Sequence, residues 1–215
     1  MLGSGFLAIW SDVAPELETD YLHWLTREHT AERMGVQGFI AVRVFRALLP
    51  AINRFLIVYE LETPEALDGQ PYLDRLNNPT PWSQRIMPIL QNFARGGGER
   101  RLSRGEGQGG FLAALPLERA PQDADALLDE LAATDRIAAV HLLVTDQVRT
   151  SIQTNEKQLR ERDRSFAALL LIEGLDQAAL HNAIARHADP LQHAGAAAQQ
   201  PLYSFMFALN GRRWP

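Results

Sequence analysis

The sequence predicts an α+β protein made of two copies of one β-α-β-β-α-β unit, because three short segments recur in the same order. The repeat spans roughly a hundred residues, which is too long for a solenoid repeat and suits two copies of a small domain. In both copies the last of these segments leads into a run that favours a helix. The matched segments are 5–8 with 110–113, 41–45 with 139–143, and 56–60 with 169–173.

The first copy is expected to begin with an apolar strand at 5–12, followed by a helix at 15–36. Pro15 suits the first turn of a helix because its fixed backbone angle matches the helical one, and the acidic residues after it favour a helix N-terminus. Gly38 lies just beyond the expected helix, where glycine commonly ends one.

Two more strands and several short helices complete the first copy. Apolar runs rich in β-branched and aromatic residues predict strands at 39–48 and 54–61, joined by a short turn that contains Pro50. Breaks rich in glycine, asparagine and proline divide the region 63–90 into helical pieces. A last strand is expected to begin near 92–94.

The second copy repeats this order of elements. Its expected strands are 111–117, 137–145, 166–175 and 203–210, and its expected helices are 123–133 and 177–187. The order is that of a ferredoxin-like unit, which places two helices on one face of a four-stranded antiparallel sheet. Because the other face of each sheet is apolar, we expect the two sheets to pack into one intrachain α/β barrel.

A glycine-rich segment at 96–110 separates the two copies. It holds seven of the fifteen glycines together with several charges, a composition typical of a flexible linker. It lacks the lysine pattern of a phosphate-binding loop. We therefore expect a first ferredoxin-like unit at 1–95, a linker at 96–110, and a second unit at 111–215 that serves as a scaffold.

The composition excludes several classes of function. The chain has 215 residues and a net charge of −5 at pH 7, which disfavours nucleic acid, since phosphate binding relies on clustered lysine and arginine. The absence of cysteine rules out disulfides, thiolate nucleophiles and cysteine-ligated metals. No segment has the pattern of a membrane span or a signal peptide. We therefore expect a cytoplasmic protein with a small-molecule partner, and a homodimer is one assembly that the sequence allows.

One motif spans the first expected helix and the strand after it. It consists of Trp24, Glu28, His29, Glu32, Arg33, Gly38, Phe39 and Arg43. These residues resemble the pattern of the ethyl tert-butyl ether-degradation-type (EthD-like) proteins of the dimeric α/β barrel superfamily. Leu25 and Gln37 stand where that pattern has tyrosine and proline. The resemblance implies a tandem barrel fold, and the superfamily includes cofactor-free isomerases, polyketide cyclases, monooxygenases and haem proteins.

His29, Arg33 and Arg43 are the candidate catalytic residues. His29 and Arg33 share one helical stripe with Leu22, so both side chains should point toward the sheet, where a buried polar group needs a partner. We interpret His29 as a general acid or base in a cavity between helix and sheet. The alternative is a structural histidine bonded to a backbone carbonyl or to Glu32.

Arg43 lies in the middle of an expected strand, where alternation places it on one face with Phe39 and Phe45. A lone cation there suits an anionic or enolate-like substrate oxygen. The alternative is a buried ion pair with Glu60 on the adjacent strand. The matching position in the second copy is His141, which is a candidate ligand contact.

Aromatic residues are concentrated in the first copy, which holds eleven of the seventeen. This excess favours the first copy as the place of an aromatic-lined pocket, although most of these rings are expected to pack in the core. The residues expected to contact a substrate are Trp10, Trp24, Phe39, Phe45, Tyr59, Trp82 and His141.

These observations favour an enzyme that moves a proton on a small aromatic or carbonyl-containing metabolite, by isomerisation, cyclisation, dehydration or decarboxylation. No cofactor is expected, because the sequence carries neither a clustered metal-ligand set nor a dinucleotide fingerprint. The alternatives are a non-catalytic binding or accessory protein and a haem-binding barrel with His181, His187 or His193 as axial ligand. A charged insertion at 146–164 is interpreted as a solvated hairpin extension or short helix, or as a lid or oligomer contact.

Overall fold

Eight strands form one closed barrel in the computed structural model, within the residues that the structure describes: 1–49, 52–160, 163–198 and 200–211. The strands are β1 (Gly5–Asp12), β2 (Phe39–Ala47), β3 (Arg54–Leu61), β4 (Gln91–Arg104), β5 (Phe111–Leu117), β6 (Ile137–Thr145), β7 (Ala168–Gly174) and β8 (Leu202–Asn210). Their order around the barrel is β1-β3-β2-β8-β5-β7-β6-β4. The predicted α+β barrel within one chain is confirmed. Pro50, which the predicted turn contains, lies outside the described residues.

The two halves of the barrel join edge to edge. Within the halves the strand orders are β4-β1-β3-β2 and β8-β5-β7-β6, the same order in each. β4 then pairs with β6, and β2 pairs with β8, so that each half covers the open edges of the other. The expected packing of the two sheets is thus achieved by closure, and the inward faces of both halves share one interior.

Helices cover the outside of the barrel. They are α1 (Glu18–Trp24), α2 (Thr30–Met34), α3 (Gln70–Asn77), α4 (Pro81–Ile86), α5 (Ala124–Ala132), α6 (Gln147–Ser151), α7 (Asn155–Gln158), α8 (Gln177–Arg186) and α9 (Ala188–His193). The helix expected at 15–36 runs from a 3-10 turn at Pro15–Leu17 to the end of α2, with a π-helical turn between α1 and α2. Among the described residues, no helix has the length and apolar character needed to cross a membrane.

The strands of the first half separate two apolar regions, because successive side chains point to opposite faces of a sheet. Leu7 and Tyr59 pack on the outer face, against the helices of the first half. Phe6, Phe45 and Val58 point into the barrel interior, together with residues of the second half. Both faces of these strands are therefore buried.

A β-bulge between Phe39 and Ala41 changes the face on which Phe39 lies. The register between β2 and β3 slips there by one residue. The ring of Phe39 consequently packs on the helix side, with its centroid 5.5 Å from that of Tyr59. The expectation that Phe39 shares a face with Arg43 is wrong for this reason.

The glycine-rich segment is mostly a strand. Residues 96–104 belong to β4, so the prediction of a linker at 96–110 is wrong for them, and residues 105–110 connect β4 to β5. The glycines of β4 allow close contact rather than flexibility. A Cβ atom at Gly98 would lie 2.2 Å from the carbonyl oxygen of Val144 on β6, where the two halves meet.

We expect Gly98→Ala to lower the free energy of unfolding by about 1–3 kcal/mol, because the added methyl group would push β4 away from β6. Gly110→Ala is the matched control, since a Cβ there would meet no atom of the described residues within 4 Å. Urea unfolding of both variants gives the comparison. Equal stability of the two variants would contradict the close contact at this seam.

The charged insertion at 146–164 forms two short helices, α6 and α7, that pack on the first half of the barrel. The Arg149 guanidinium lies 2.9 Å from the carboxylate of Asp68 and 3.1 Å from that of Glu65. The side-chain amide of Asn155 donates to the carbonyl of Asn77 at 2.7 Å. The described part of the insertion therefore forms short helices, which was one of the predicted alternatives, rather than a solvated hairpin extension.

Candidate active site between the first helix and the barrel

A π-helical turn at Leu25–His29 interrupts the first helix. The Thr30 hydroxyl donates to the Leu25 carbonyl at 2.8 Å across this wider turn. Such turns within α-helices occur frequently at functional sites. The turn ends on His29, which is only 3% exposed and whose ring stacks on Trp24 with the centroids 4.2 Å apart. His29 thus points toward the sheet, as its helical spacing predicts.

A cavity lies between this helix and the outer face of β1, β3 and β4. Its volume is about 20 Å³, which accommodates roughly one water molecule. Three arginines and one glutamate line it, so its charge is positive overall. The polar and charged side chains around it include those of His29, Arg33, Tyr59, Arg95, Glu156 and Arg160.

Several buried polar groups of this cavity lack a partner. Among the described residues, no hydrogen bond reaches His29 Nδ1, Tyr59 Oη or Arg95 Nε. Arg33 Nη1 lies 3.2 Å from the carboxylate of Glu32. Buried polar atoms in folded proteins are nearly always satisfied, so three such groups around one cavity call for a ligand or ordered water. Together they offer one imidazole and two hydrogen-bond donors to whatever occupies the cavity.

The electrostatic environment keeps His29 neutral. Burial, followed by the charges of Arg33 and Arg160, lowers the pKa of His29 well below its ordinary value of 6.5. Burial also raises the pKa of Tyr59, so its hydroxyl stays protonated and can donate. At neutral pH the cavity therefore combines a base in its proton-accepting form with a neutral phenol and a cation.

The second half of the barrel supplies two residues that close the cavity. The carboxylate of Glu156 on α7 accepts a hydrogen bond from the Arg33 guanidinium. Arg160 lies with its guanidinium carbon 4.0 Å from the ring centroid of Phe93 and pairs with Asp163 at 2.9 Å. The second half therefore contributes to the site, which the interpretation of 111–215 as a scaffold did not anticipate.

We expect the free energy of unfolding to fall as the pH is lowered from about 8 to about 5, in part because of His29. The unfolded histidine binds a proton below its ordinary pKa of 6.5, whereas the folded one does not, so stability is lost as the pH falls through 6.5. Each such histidine contributes up to roughly 1.4 kcal/mol per pH unit.

The variant His29→Asn should therefore show a shallower pH dependence than the wild type in urea unfolding. Some dependence should remain, because burial and then nearby positive charges lower the pKa of His141 to about 3. An identical pH dependence in both proteins would mean that folded His29 binds a proton as readily as the unfolded residue.

Arg43 lies in the barrel interior, on the opposite face of the sheet from the cavity. Its Nη2 atom is 2.7 Å from Glu173 Oε1, and its Nε atom is 3.9 Å from Glu60 Oε1. Strand alternation places Arg43 with Phe45 rather than with Tyr59, so the structure does not bring it to His29. The alternative interpretation, a buried ion pair, describes its surroundings.

His141 also lies in the barrel interior. Its Nδ1 atom is 2.8 Å from the hydroxyl oxygen of Ser103, and the two residues face each other on β6 and β4. On the neighbouring strand β7 it lies opposite Leu171, which belongs to the apolar cluster in the barrel interior. His141 is therefore not part of the cavity that His29 lines, and its contact with a ligand stays a prediction.

The structure divides the predicted aromatic contacts among separate places. Trp24 and Tyr59 line the cavity. Trp10 and Phe45 belong to the barrel interior. Trp82 lies on the outer side of α1, where its indole donates to Asp20 at 3.1 Å.

Three cavity residues were missed by sequence reasoning, namely Arg95, Glu156 and Arg160. Arg95 precedes the glycines that suggested a linker, so its strand was expected to end too early. Glu156 and Arg160 are four residues apart, a spacing that places them on one helical face. That spacing within the charged insertion was the signal that could have singled them out.

The described residues do not fit a haem group in the cavity. A volume of about 20 Å³ is far too small for one. His181 and His193 are exposed on the outer helices, and His187 lies 3.3 Å from Glu130. Within the described ranges, no three metal-binding side chains come together in a group that could hold an ion.

Neither a protein-family model nor a curated protein matches the sequence. Solved structures do match. An anthrone oxidase-like protein has a TM-score of 0.62 and 11% identity, covering 96% of this chain and 92% of its own. A protein provisionally named a monooxygenase, from Fusobacterium nucleatum subsp. nucleatum, has a TM-score of 0.58 and 12% identity, covering 98% and 96%. A variant chlorite dismutase from Candidatus Nitrospira defluvii, in complex with cyanide, has a TM-score of 0.56 and 9% identity, covering 96% and 92%.

At these identities the likeness shows the fold alone. The chain has the closed antiparallel barrel of tandem ferredoxin-like units that these proteins share. The similarity extends over nearly the whole length of both chains, so it includes both halves of the barrel and their connection. It does not identify a substrate.

Proposed function

We propose that the cavity binds a small aromatic or carbonyl-containing compound and that His29 moves a proton on it without a cofactor. The observation that supports this proposal is the set of three unpartnered polar groups, on His29, Tyr59 and Arg95, around the cavity. Isomerisation, cyclisation, dehydration and decarboxylation share such a step. The residues of the EthD-like motif that line the cavity, Trp24, His29 and Arg33, also favour it.

The proposed step removes a proton from a carbon next to a carbonyl group, or from a phenol. The proton goes to the neutral imidazole of His29, and the electron pair of the broken bond ends on the substrate oxygen as an enolate or phenolate. Arg33, Arg95 and the hydroxyl of Tyr59 donate hydrogen bonds to that oxygen. Return of the proton to a different carbon completes an isomerisation.

The lowered pKa of His29 suits this step. In the free protein, burial and the neighbouring cations oppose protonation of the imidazole. When the substrate becomes an anion, its negative charge lies beside the imidazole and favours the charged form. His29 therefore holds a proton readily only once the substrate has become an anion, which limits unproductive protonation by water.

The name of one similar structure, an anthrone oxidase-like protein, adds support for an aromatic substrate. Anthrone is an aromatic ketone with an acidic carbon, which is the kind of compound that a base can convert into an enolate. A homodimer and a cytoplasmic location stay predictions from the sequence.

A non-catalytic binding protein is the second candidate, because the arginines and the Tyr59 hydroxyl around the cavity would hold a ligand whether or not His29 moves a proton. Either function needs the cavity to widen. An aromatic ring needs on the order of 150 Å³, whereas the cavity measures about 20 Å³. The contact between Glu156 on α7 and Arg33 on the first helix closes one side of the cavity. We propose that α7 acts as a lid, which moves away from the first helix when a ring enters.

Deuterium uptake tests the proposal without knowledge of the final product. Anthrone and related enolisable aromatic ketones are incubated in deuterated water with protein that has been dialysed against a chelator. We expect the protein to accelerate uptake at the acidic carbon, as measured by mass spectrometry. Binding without accelerated uptake across the panel would favour the binding protein, and consumption of dissolved oxygen would point to an oxygenase.

A further inference from the structure

A second depression adjoins the His29 cavity, between β4 and the insertion. We call it the basic pocket. Its volume is about 330 Å³, and hydroxyl and amide side chains make up much of its surface. Within the described ranges its charged residues are four cations and one carboxylate, namely Arg95, Lys157, Arg160, Arg164 and Asp163.

The basic pocket shares a wall with the His29 cavity. Arg95 and Arg160 line both. Arg95 is 6% exposed, and its Nε atom has no hydrogen-bond partner among the described residues, while its Nη2 atom lies 3.5 Å from the hydroxyl of Tyr72. A buried, incompletely satisfied cation thus stands at the junction between the two spaces.

The positive charge of the basic pocket is only partly neutralised. Both carboxylate oxygens of Asp163 are taken by Arg160, at 2.9 and 3.0 Å. Lys157, the only lysine of the chain, has its pKa lowered to about 8 by burial and then by Arg95. Burial is the larger cause of this lowering, and the nearby arginines add to it, so an anion beside the amine would oppose both effects.

We propose that the basic pocket binds an anionic group, a carboxylate or a phosphate, on a short arm of the compound whose ring enters the His29 cavity. The substrate class is thus an aromatic or enolisable compound with an acidic arm. Arg95 and Arg160 would contact the arm where it leaves the cavity, and Lys157 and Arg164 would contact its end. The placement of the ring rests on the proposed function, whereas the anion site rests on the basic pocket alone.

Two probes that differ only in the arm test this proposal, namely 3-(4-hydroxyphenyl)propionate and 4-ethylphenol. Calorimetry measures both dissociation constants at low salt. We expect the carboxylate to bind at least about tenfold more tightly, since charge-assisted hydrogen bonds to a desolvated carboxylate are strong. Equal affinity for the two probes would overturn the proposal.

Two variants locate the preference. Lys157→Met and Arg164→Gln should each reduce the advantage of the carboxylate probe several-fold and leave the affinity for 4-ethylphenol unchanged, because neither side chain lines the His29 cavity. Arg101→Gln, an exposed arginine elsewhere on β4, is the matched control and should keep the full preference. A preference that survives in both pocket variants would place the anion elsewhere and overturn the proposal.

The single lysine also gives a direct signal. Reductive methylation with ¹³C-formaldehyde labels Lys157, and nuclear magnetic resonance then follows its titration. We expect its pKa to rise when 3-(4-hydroxyphenyl)propionate saturates the protein, because a nearby anion favours the charged amine. An unchanged pKa at saturation would overturn the proposal.

Inorganic phosphate separates this inference from the proposed function. If phosphate raises the pKa of Lys157 but the carboxylate arm brings no tighter binding, the pocket holds anions that are not part of the substrate, and the inference fails. If the arm is preferred but no deuterium uptake occurs with any ring compound, the proton-transfer function fails and the anion site stands.

Discussion

Replacing His29 by Asn is expected to lower the rate of substrate deuterium uptake by ~10²–10⁴-fold while the protein stays folded. An amide of similar size can replace a hydrogen bond of the imidazole but cannot carry a proton between two carbons. In this variant the amide still packs against Trp24, and the site still holds a polar side chain of similar size. The rate at saturating ketone, measured beside the circular dichroism spectrum, gives the result.

His23→Asn is the matched control, because His23 lies on α1, six positions before His29, and is absent from the lining of the cavity. It should retain the wild-type rate. A well-folded His29→Asn protein with the wild-type rate would leave His29 with a structural role. The binding-protein interpretation would then be the better one.

The order of the elements could be predicted because the repeat and the local residue preferences agree. The strands expected at 5–12, 54–61, 111–117 and 137–145 have the bounds that the structure shows. Turn residues and apolar runs determine such elements over short distances. The inward direction of His29 was predictable for the same reason, since helical spacing relates it to Leu22 within two turns.

The face of a strand was harder to predict than its bounds. Alternation shows which residues share a face, but in this barrel the outer face packs on helices and the inner face packs on the other half. Arg43 stands between two buried valines, so no polar face marks the outside. The signal that could have placed it was the recurrence of glutamate at Glu60 and Glu173, at the same point of the repeated strand.

Contacts between distant parts of the chain were the least predictable. Glu156 follows Arg33 by 123 residues, and nothing local to either residue shows that α7 folds over the first helix. The glycines of β4 likewise suggest flexibility when read alone. Their role in close packing appears only once β6 lies beside them, which depends on closure of the whole barrel.

The largest effect on stability is expected from Arg43→Met. Glu60 and Glu173 are completely buried, and Arg43 is the cation between them, 3.9 Å from the first and 2.7 Å from the second. Their other oxygens accept backbone N–H bonds from Leu2 and Gly109, which do not supply a positive charge. Removal of the guanidinium leaves both buried carboxylates without the positive charge that neutralises them.

We expect Arg43→Met to lower the free energy of unfolding by about 3–5 kcal/mol, the usual effect of breaking a buried ion pair from one side. This is a large fraction of the stability of an ordinary domain. Arg46→Met, on the same strand, should lower it by less than about 1 kcal/mol, because its pairing with Glu18 is half exposed. Urea unfolding at neutral pH measures both.

Adding Glu60→Gln and Glu173→Gln to Arg43→Met should recover much of the loss, since the amides carry no charge that needs the missing cation. The triple variant also separates the interior from the cavity. If Arg43 acts only within the barrel, the stabilised triple variant should bind 4-ethylphenol like the wild type and should accelerate deuterium uptake by the ketone to the same extent. A loss of binding in that folded variant would mean that Arg43 contacts the substrate, as the sequence predicts.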